Sequence, residues 1–333
     1  MAEKGFLDHP DLIDRLEQLG MHINDKTKAE AELRRLGYHS TSGYRYPFRK
    51  LREPLTDELI KRREFRHDEF EAGSRFEDSI ALADFDTKLR AVILTGIFDL
   101  EVRLRTAIAH VIAQKNPKGH LDISCLDTNR CLELTSSQNE TSKFEAWKAQ
   151  YESDKKSKNN DDFIAHHTLV YKTEIPVWAA LERVSFGTLI HFYLLMKVED
   201  QNDVARKFGV RQGTKFGSWL LSIMDLRNDC AHGARVFNKS MKRNVSVPPN
   251  SYFKKYLKHI DKTLTADKVY MPCVLLAHML RCHESGTNWH NTFKTQVKKL
   301  PQIYLKELSE PLITAERNMG FPSNWQELEI WNN

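Results

Sequence analysis

The chain has 333 residues, of which 41% are hydrophobic and 29% charged, and these values are typical of a soluble globular protein with one large domain or two ordinary ones. Its 14 glycines and 11 prolines favour helices over a turn-rich β fold. The net charge of +5 is mildly basic. The apolar runs are shorter than the ~20 residues of a membrane span, so we expect no membrane partner. The sequence contains no Walker or HExxH motif, so we expect no nucleotide hydrolysis, cofactor or metal.

The cysteines are five in number and form no CxxC pair. They are Cys125, Cys131, Cys230, Cys273 and Cys282. An odd count without metal-type spacing predicts free thiols in a reducing compartment. The amino-terminal stretch has no apolar signal sequence, so we expect a cytoplasmic protein.

Residues 10–36 predict two short helices, closed by Gly20 and Gly37, since a left-handed glycine commonly ends a helix. Residues 38–50, YHSTSGYRYPFRK, predict a loop by their serine, glycine and proline content. Aromatic and basic side chains alternate there, as in proteins that stack unpaired bases and hold the backbone of a single strand. Alternatively, the aromatic side chains pin the loop to the core. The candidate RNA-binding residues of this loop are Tyr44, Arg45, Arg49 and Lys50.

A charged helix is predicted over residues 54–72, and residues 76–115 predict one long helix or two stacked ones with a wide apolar face. Two acid–base pairs interrupt this face at a spacing of four residues: Asp86 with Arg90, and Glu101 with Arg105. In one interpretation both are simple intrahelical ion pairs. In the other, Glu101 and Arg105 face a later helix and orient its arginine or histidine.

Residues 116–175 are the least ordered part of the chain by composition, apart from a charged helix around 142–155. The run at 155–162 predicts mobility. His166 and His167 follow it, but without nearby cysteines they do not indicate a metal site. Short helices are predicted from Pro176 onwards.

The stretch WLLSIMDLRNDCAHGARVFN, residues 219–238, is the one around which the chain is organised. Its apolar stripe at helical spacing consists of Trp219, Ile223, Leu226 and Cys230. Gly233 predicts that this helix ends at His232. Arg227, Asn228 and His232 are thereby placed at the polar end of a buried helix.

An arginine near a histidine is a chemically meaningful pair. An imidazole accepts or donates a proton near pH 7, and a guanidinium holds phosphate oxygens and offsets charge on phosphorus. Together they can cleave RNA without metal, with the 2′-OH of the substrate as nucleophile. The alternative is a capping arginine and a satisfied histidine at a helix end.

Spacing alone does not identify the site, since Arg-x4-His occurs four times. The pairs are Arg34/His39, Arg62/His67, Arg105/His110 and Arg227/His232. The last one is distinguished by its context, Arg-Asn-x-x-Ala-His-x-x-Arg-x-x-Asn. Basic residues also cluster around it, with nine Lys or Arg in 227–262 against two acids, and residues 34–52 contain six with no acid. Such clusters suit a polyanion, or they form solvated helix faces.

The motif RNDCAHGARVFN at 227–238 resembles the signature of HEPN-domain ribonucleases, in the form found in bacterial abortive infection (Abi) proteins of the D/F type. Three other stretches are similar to that family in the same order: STSGYRYPFR at 40–49, FDTKLRAVILTGIFDLEVRLRTAIA at 85–109 and PVWAALERVSFGTLIHFY at 176–193. The resemblance implies an all-helical fold, phage defence or toxin behaviour, and RNA as the target of Arg227 and His232.

We therefore predict an all-α protein, a HEPN-type helical bundle with helical extensions at both ends. Residues 1–72 would form an N-terminal helical segment, 73–245 the core with a polar insertion at about 116–175, and 246–333 a C-terminal helical extension. In that extension, helices are predicted near 251–262, 266–283 and 287–299, with Trp325 and Trp331 packed onto the core.

The predicted function is a metal-independent endoribonuclease of an abortive-infection or toxin–antitoxin-type system. His232 would be the general acid or base, Arg227 would bind the scissile phosphate and stabilise its transition state, and Asn228 would orient His232 or the phosphate. Glu101 and Arg105 would assist. Further RNA-binding candidates follow the motif: Arg235, Asn238 and Lys239.

One motif per chain predicts a homodimer that shares its site. The partners would be RNA as substrate and a small RNA that inhibits or guides. The alternative function is a non-catalytic RNA-binding protein that holds a structured small RNA or an antitoxin.

Overall fold

A computed structural model describes residues 5–136, 139–157, 170, 174–245, 256–260, 267–305 and 309–332. These residues are mostly helical, in agreement with the predicted class, and include two small antiparallel sheets. The helices are α1 (His9–Gln18), α2 (Lys26–Leu36), α3 (Tyr38–Arg45), α4 (Asp57–Arg62), α5 (Phe76–Ala113), α6 (Thr128–Leu132), α7 (Lys143–Ser157), α8 (Val177–Ala180), α9 (Phe186–Leu195), α10 (Val198–Arg206), α11 (Gly213–Ala231), α12 (Tyr270–Cys282), α13 (Trp289–Val297) and α14 (Ala315–Met319). The strands are β1 (Arg49–Leu51), β2 (Arg66–Phe70), β3 (Leu134–Ser136) and β4 (Asn139–Ser142).

The first two helices lie where the sequence predicts them. The side chain of Asp25 caps α2 by accepting from Lys28 N, as N-cap carboxylates do. Gly20 and Gly37 follow the two helices at φ +95° and +81°, a backbone region that favours glycine.

The predicted loop at 38–50 is wrong, because its first eight residues form α3. Serine and threonine weaken isolated helices, but here Thr41 directs its hydroxyl back to the carbonyls of Gly37 and Tyr38, at 3.1 and 2.9 Å. Tyr44 and Phe48 are buried, so tertiary packing outweighs the local preference. Both residues fit the alternative prediction, in which aromatic side chains pin this segment to the core.

The predicted helix over 54–72 is also wrong in most of its length. Only α4 forms, and Arg63 ends it in a left-handed conformation at φ +59°. The chain then returns as β2 and pairs antiparallel with β1, with Arg49 opposite Phe70. The guanidinium of Arg66 donates to the Arg49 carbonyl and ties the two strands together.

The core is built around α5, a single helix of 38 residues. The helices α3, α8, α10, α11, α12 and α13 all pack against it. One hydrophobic cluster extends from Ile13 near the start of the chain to Trp331 near its end. Apolar contacts thus cross both predicted boundaries, near residues 72 and 245, although the segment limits themselves stay predictions.

The part of the insertion from 116 to 157 is more ordered than its composition predicts. It contains α6, the β3–β4 hairpin and α7, the last close to the predicted helix at 142–155. Trp147 and Tyr151 are buried with their rings stacked 5.5 Å apart, and Trp147 Nε1 donates to the Thr188 carbonyl at 3.0 Å. Most of the predicted mobile run, together with His166 and His167, falls outside the described residues.

The C-terminal helices α12 and α13 agree with two of the three predicted there, and Trp325 and Trp331 are buried as expected. The predicted helix at 251–262 lies mostly outside the described residues, and the described part, 256–260, is not helical.

No helix among the described residues combines the length and the apolar character needed to cross a membrane.

Candidate active site at the end of helix α11

Helix α11 ends as the sequence predicts, with His232 as its C-cap. Gly233 follows at φ +70°, and Ala234 N donates to the Asp229 carbonyl at 2.8 Å, which satisfies a carbonyl that the helix leaves free. The apolar stripe of α11 is buried, whereas His232 is exposed. The helix thus presents an imidazole to solvent from a rigid, buried support.

Arg227 and Asn228 lie half-buried one turn before this end. Arg227 Nη1 donates to Asn228 Oδ1 over 3.4 Å, a long hydrogen bond, and Arg227 Nε is buried without a hydrogen-bond partner. Arg227 Nη2 bonds to no described residue, so the guanidinium retains binding capacity for a ligand.

The four Arg-x4-His pairs differ in one respect that their spacing does not reveal. Arg34, Arg62 and Arg105 each form an ion pair with the glutamate four residues earlier. The position four residues before Arg227 is Ile223, and Arg227 has no carboxylate partner within the described parts of the chain. Of the four arginines, Arg227 is therefore the one whose charge is not offset by a neighbouring acid.

An anion that binds at this helix end needs a cation beside it. The carbonyl end of a helix carries roughly half a negative charge and disfavours a bound anion. Lys239 does not supply the cation freely, because its Nζ is 2.8 Å from Asp229 Oδ2. Arg227 is the residue placed to offset this field.

Buried Asp86 fixes the turn that follows the motif, a role that the sequence reasoning missed. Its carboxylate forms the predicted ion pair with Arg90 and also accepts from Phe237 N at 2.8 Å and from Tyr44 OH at 2.6 Å. Long helix α5, helix α3 and the chain after α11 thus meet at one charge. The four-residue spacing of Asp86 and Arg90 indicated the ion pair but gave no sign of its distant partners.

Arg235 is half-buried and bonds to the turn that follows the motif. Its Nη1 donates to the carbonyls of Phe237 and Asn238, both at 2.6 Å, and its side chain lies against Gly43, where a Cβ would come within 2.5 Å of Nε. Burial lowers the pKa of Arg235. Asn238 adopts the left-handed conformation at φ +48°. These two predicted RNA-binding residues shape the turn in this structure.

Glu101 and Arg105 bond to each other and not to the motif residues that the structure describes. They form the predicted intrahelical ion pair, and Arg105 Nη2 donates to the Val184 carbonyl at 3.1 Å. Neither side chain bonds to Arg227 or His232 in the described structure, although α5 does pack against α11. The first interpretation, a simple ion pair, describes this contact.

The α3–β1 segment contains the other predicted RNA-binding residues, and the structure divides them. Tyr44 and Arg45 are buried, and Arg45 donates to Thr41 and to the Tyr38 carbonyl. Arg49 is half-buried with Nη1 3.1 Å from Asp68 Oδ1, and Lys50 is exposed. Of these four residues, only Arg49 and Lys50 are therefore placed to reach a polyanion.

Cys230, two residues before His232, is not suited to act as a nucleophile. Burial raises the pKa of its thiol to about 12, and the thiolate is the reactive form. Among the described residues, His, Cys, Asp and Glu form no group of three or more that could hold a metal ion.

The fold and the site define a mostly helical protein with an arginine, an asparagine and an exposed histidine in the last turns of a buried helix. A family model described as Abi-like protein matches residues 31–238, well over half of the chain, from α2 to the last residue of the motif. The chain belongs to this family of Abi-like proteins. Comparison with the curated proteins and with the solved structures gave no match.

Proposed function

We propose that this protein is a metal-independent endoribonuclease of the HEPN type that acts in abortive infection, with its site at the end of α11. Membership of the Abi-like family suggests the biological setting. The observation that supports the chemistry is the state of Arg227, whose guanidinium has no acid partner in the described structure and lies one turn from an exposed imidazole.

The reaction that these groups suit is transesterification within RNA. His232 takes the proton from a 2′-OH, the 2′-oxygen forms a bond to the adjacent phosphorus, and the bond from phosphorus to the 5′-oxygen breaks. Arg227 holds two phosphate oxygens and offsets the charge that develops on them, and Asn228 orients the guanidinium. The products carry a 2′,3′-cyclic phosphate and a 5′-hydroxyl.

The leaving 5′-oxygen needs a proton, and one histidine cannot give and take a proton in the same step. A second copy of the chain would supply the acid, so the proposal includes a two-fold dimer in which both His232 side chains line one groove. Because such an enzyme endangers its own cell, a small RNA or an antitoxin would restrain it until infection.

The test is cleavage of RNA by purified protein in EDTA. Replacing His232 with alanine should lower the rate by roughly 10²–10⁴ while the fold is kept. Three matched controls exist, since His39, His67 and His110 occur at the same spacing from ion-paired arginines and should be dispensable. Unchanged cleavage by His232→Ala refutes the catalytic assignment, and binding of RNA without any cleavage favours the non-catalytic RNA-binding protein.

A further inference from the structure

A second concave site lies beside α11, away from the motif. It is a cavity of about 740 Å³ between α6, α7, α9 and α11, which is in the range of pockets that bind small organic ligands. Its described lining contains three cationic side chains and no carboxylate. The cations are Arg130, Lys143 and Arg243.

Of these cations, Arg243 has the most binding capacity left. Its Nε donates to Asp225 Oδ2 at 2.7 Å, and this contact fixes the side chain to α11. Its two terminal nitrogens bond to no described residue. Arg130 and Lys143 instead interact with Asp127 and Glu133, which lie outside the cavity wall. A guanidinium held by Nε, with both terminal groups free, is prepared for a bidentate contact with phosphate.

The rest of the wall suits a flat, uncharged group. Leu194, Leu195, Leu221 and Ala146 give it an apolar surface. His191 lies in the same lining, where burial and the charge of Arg243 lower its pKa and so keep the imidazole neutral at pH 7. The cavity thus combines one anion-binding fork with an apolar wall and a neutral hydrogen-bonding ring.

The position of the cavity relates it to the motif. Leu221, Asn228 and His232 are spaced i, i+7 and i+11, so they share one face of α11. Eleven residues of helix extend about 16 Å, the length of about five stacked nucleotides at 3.4 Å each. A strand bound at His232 can reach the cavity along this face.

We propose that this cavity binds one nucleoside phosphate unit, with its phosphate on Arg243 and its base against the apolar wall. The unit belongs either to the RNA strand held at the motif or to a free mononucleotide. The first source rests on the proposed function, and it makes the cavity the subsite that selects which RNA is cut.

The experiment measures binding by calorimetry with the full chain carrying His232→Ala, so that RNA stays intact. The probes are AMP, UMP, inorganic phosphate and a single-stranded RNA of ten nucleotides. Arg243→Ala removes the fork, and Ala146→Phe fills the cavity while leaving Arg243 in place. Arg206→Ala is the matched control, because that arginine is also exposed and also pairs with an aspartate, at 2.5 Å, but lies outside the lining.

Both cavity variants should weaken binding of a mononucleotide at least tenfold, and Arg206→Ala should not change it. If the unit comes from RNA, both variants also weaken the oligonucleotide, and AMP or UMP competes with it. If the source is a free nucleotide, the oligonucleotide binds unchanged and without competition. The proposal is overturned if neither mononucleotide binds, if inorganic phosphate binds as tightly as they do, or if the cavity variants match the control.

Failure of this proposal and failure of the nuclease proposal give different results. If the cavity binds nucleotides but the chain cuts no RNA, the cavity assignment holds and the nuclease proposal fails. If cleavage depends on His232 but Arg243→Ala does not affect nucleotide binding, the nuclease proposal holds and the cavity assignment fails.

Discussion

Asp86 gives the sharpest test of how the candidate site is held in place, because its carboxylate joins three distant parts of the chain. Replacing it with alanine removes the acceptor of Tyr44 OH and of Phe237 N and leaves the Arg90 guanidinium without its acid. Asp86 is fully buried, so water cannot readily take the place of its carboxylate, and leaving its partners unpaired costs free energy. We expect both loss of stability and release of the turn after the motif.

The magnitude follows from the geometry. Removing one partner of a buried, hydrogen-bonded ion pair costs about 3–5 kcal/mol. For a chain of 333 residues, an unfolding entropy of about 2.1 cal/mol/K per residue gives about 0.7 kcal/mol/K in total. Asp86→Ala should therefore lower Tm by about 4–7 °C.

The assay is thermal and urea unfolding followed by circular dichroism, with Asp99→Ala as a matched control. Asp99 and Arg103 lie on the same helix at the same four-residue spacing, but the Asp99 side chain is 35% exposed. A partly exposed pair is worth about 1 kcal/mol or less. Equal losses of stability for the two variants would show that burial and the distant partners of Asp86 contribute nothing, which refutes the reasoning.

The shared site, the exposed basic residues and a buried histidine each give a further prediction. Mixing Arg227→Ala chains with His232→Ala chains should restore part of the cleavage, because a mixed dimer keeps one intact arginine and one intact histidine. Replacing Arg49 and Lys50 with alanine should reduce the slope of log K against log salt for RNA binding by about one unit for each phosphate that is no longer neutralised. Burial lowers the pKa of His278 to about 4. An unfolded histidine has a pKa of ~6.5, so the unfolded chain binds the proton first, and the free energy of unfolding should fall by about 3 kcal/mol as pH drops from 6.5 to 4.

Each of these expectations has a contradicting result. Full-rate cleavage by a chain that stays monomeric with RNA bound excludes a shared site. An unchanged salt slope means that RNA binds elsewhere than β1. Replacing His278 with glutamine should remove about 3 kcal/mol of this pH dependence, and a dependence as large as that of the unsubstituted protein contradicts the assignment.

The sequence predicts α11 and its end because the signals there are local. The apolar stripe of α11 and the glycine at 233 act within a few residues, and the two ion pairs of α5 depend only on four-residue spacing. The distinct state of Arg227 also has a local signal in the sequence, since the three other arginines of the repeated pattern each follow a glutamate by four residues.

The predictions that the structure does not follow concern residues whose burial or pairing the local pattern does not reveal. The sequence pattern assigns Arg45 to RNA, but its guanidinium is buried among groups of its own helix α3. Residues 66–70 form a strand because β1 is there to pair with them, and a charged sequence does not indicate that partner. Trp147 and Tyr151 lie in a polar stretch, yet they stack in the core against α9. Composition reports the average of a segment, whereas burial is decided side chain by side chain.

The contacts of Asp86 also have a consequence for synthesis. Its partners lie 42 residues before it and 151 residues after it in the sequence. At about 5–20 residues per second, the ribosome needs about 8–30 s to extend the chain from Asp86 to Phe237. During that time the nascent chain has α5 but not the backbone amides that Asp86 must bind, so the end of α11 is fixed only after more than two thirds of the 333 residues have been made. The proposed site is therefore incomplete while most of the chain is being made.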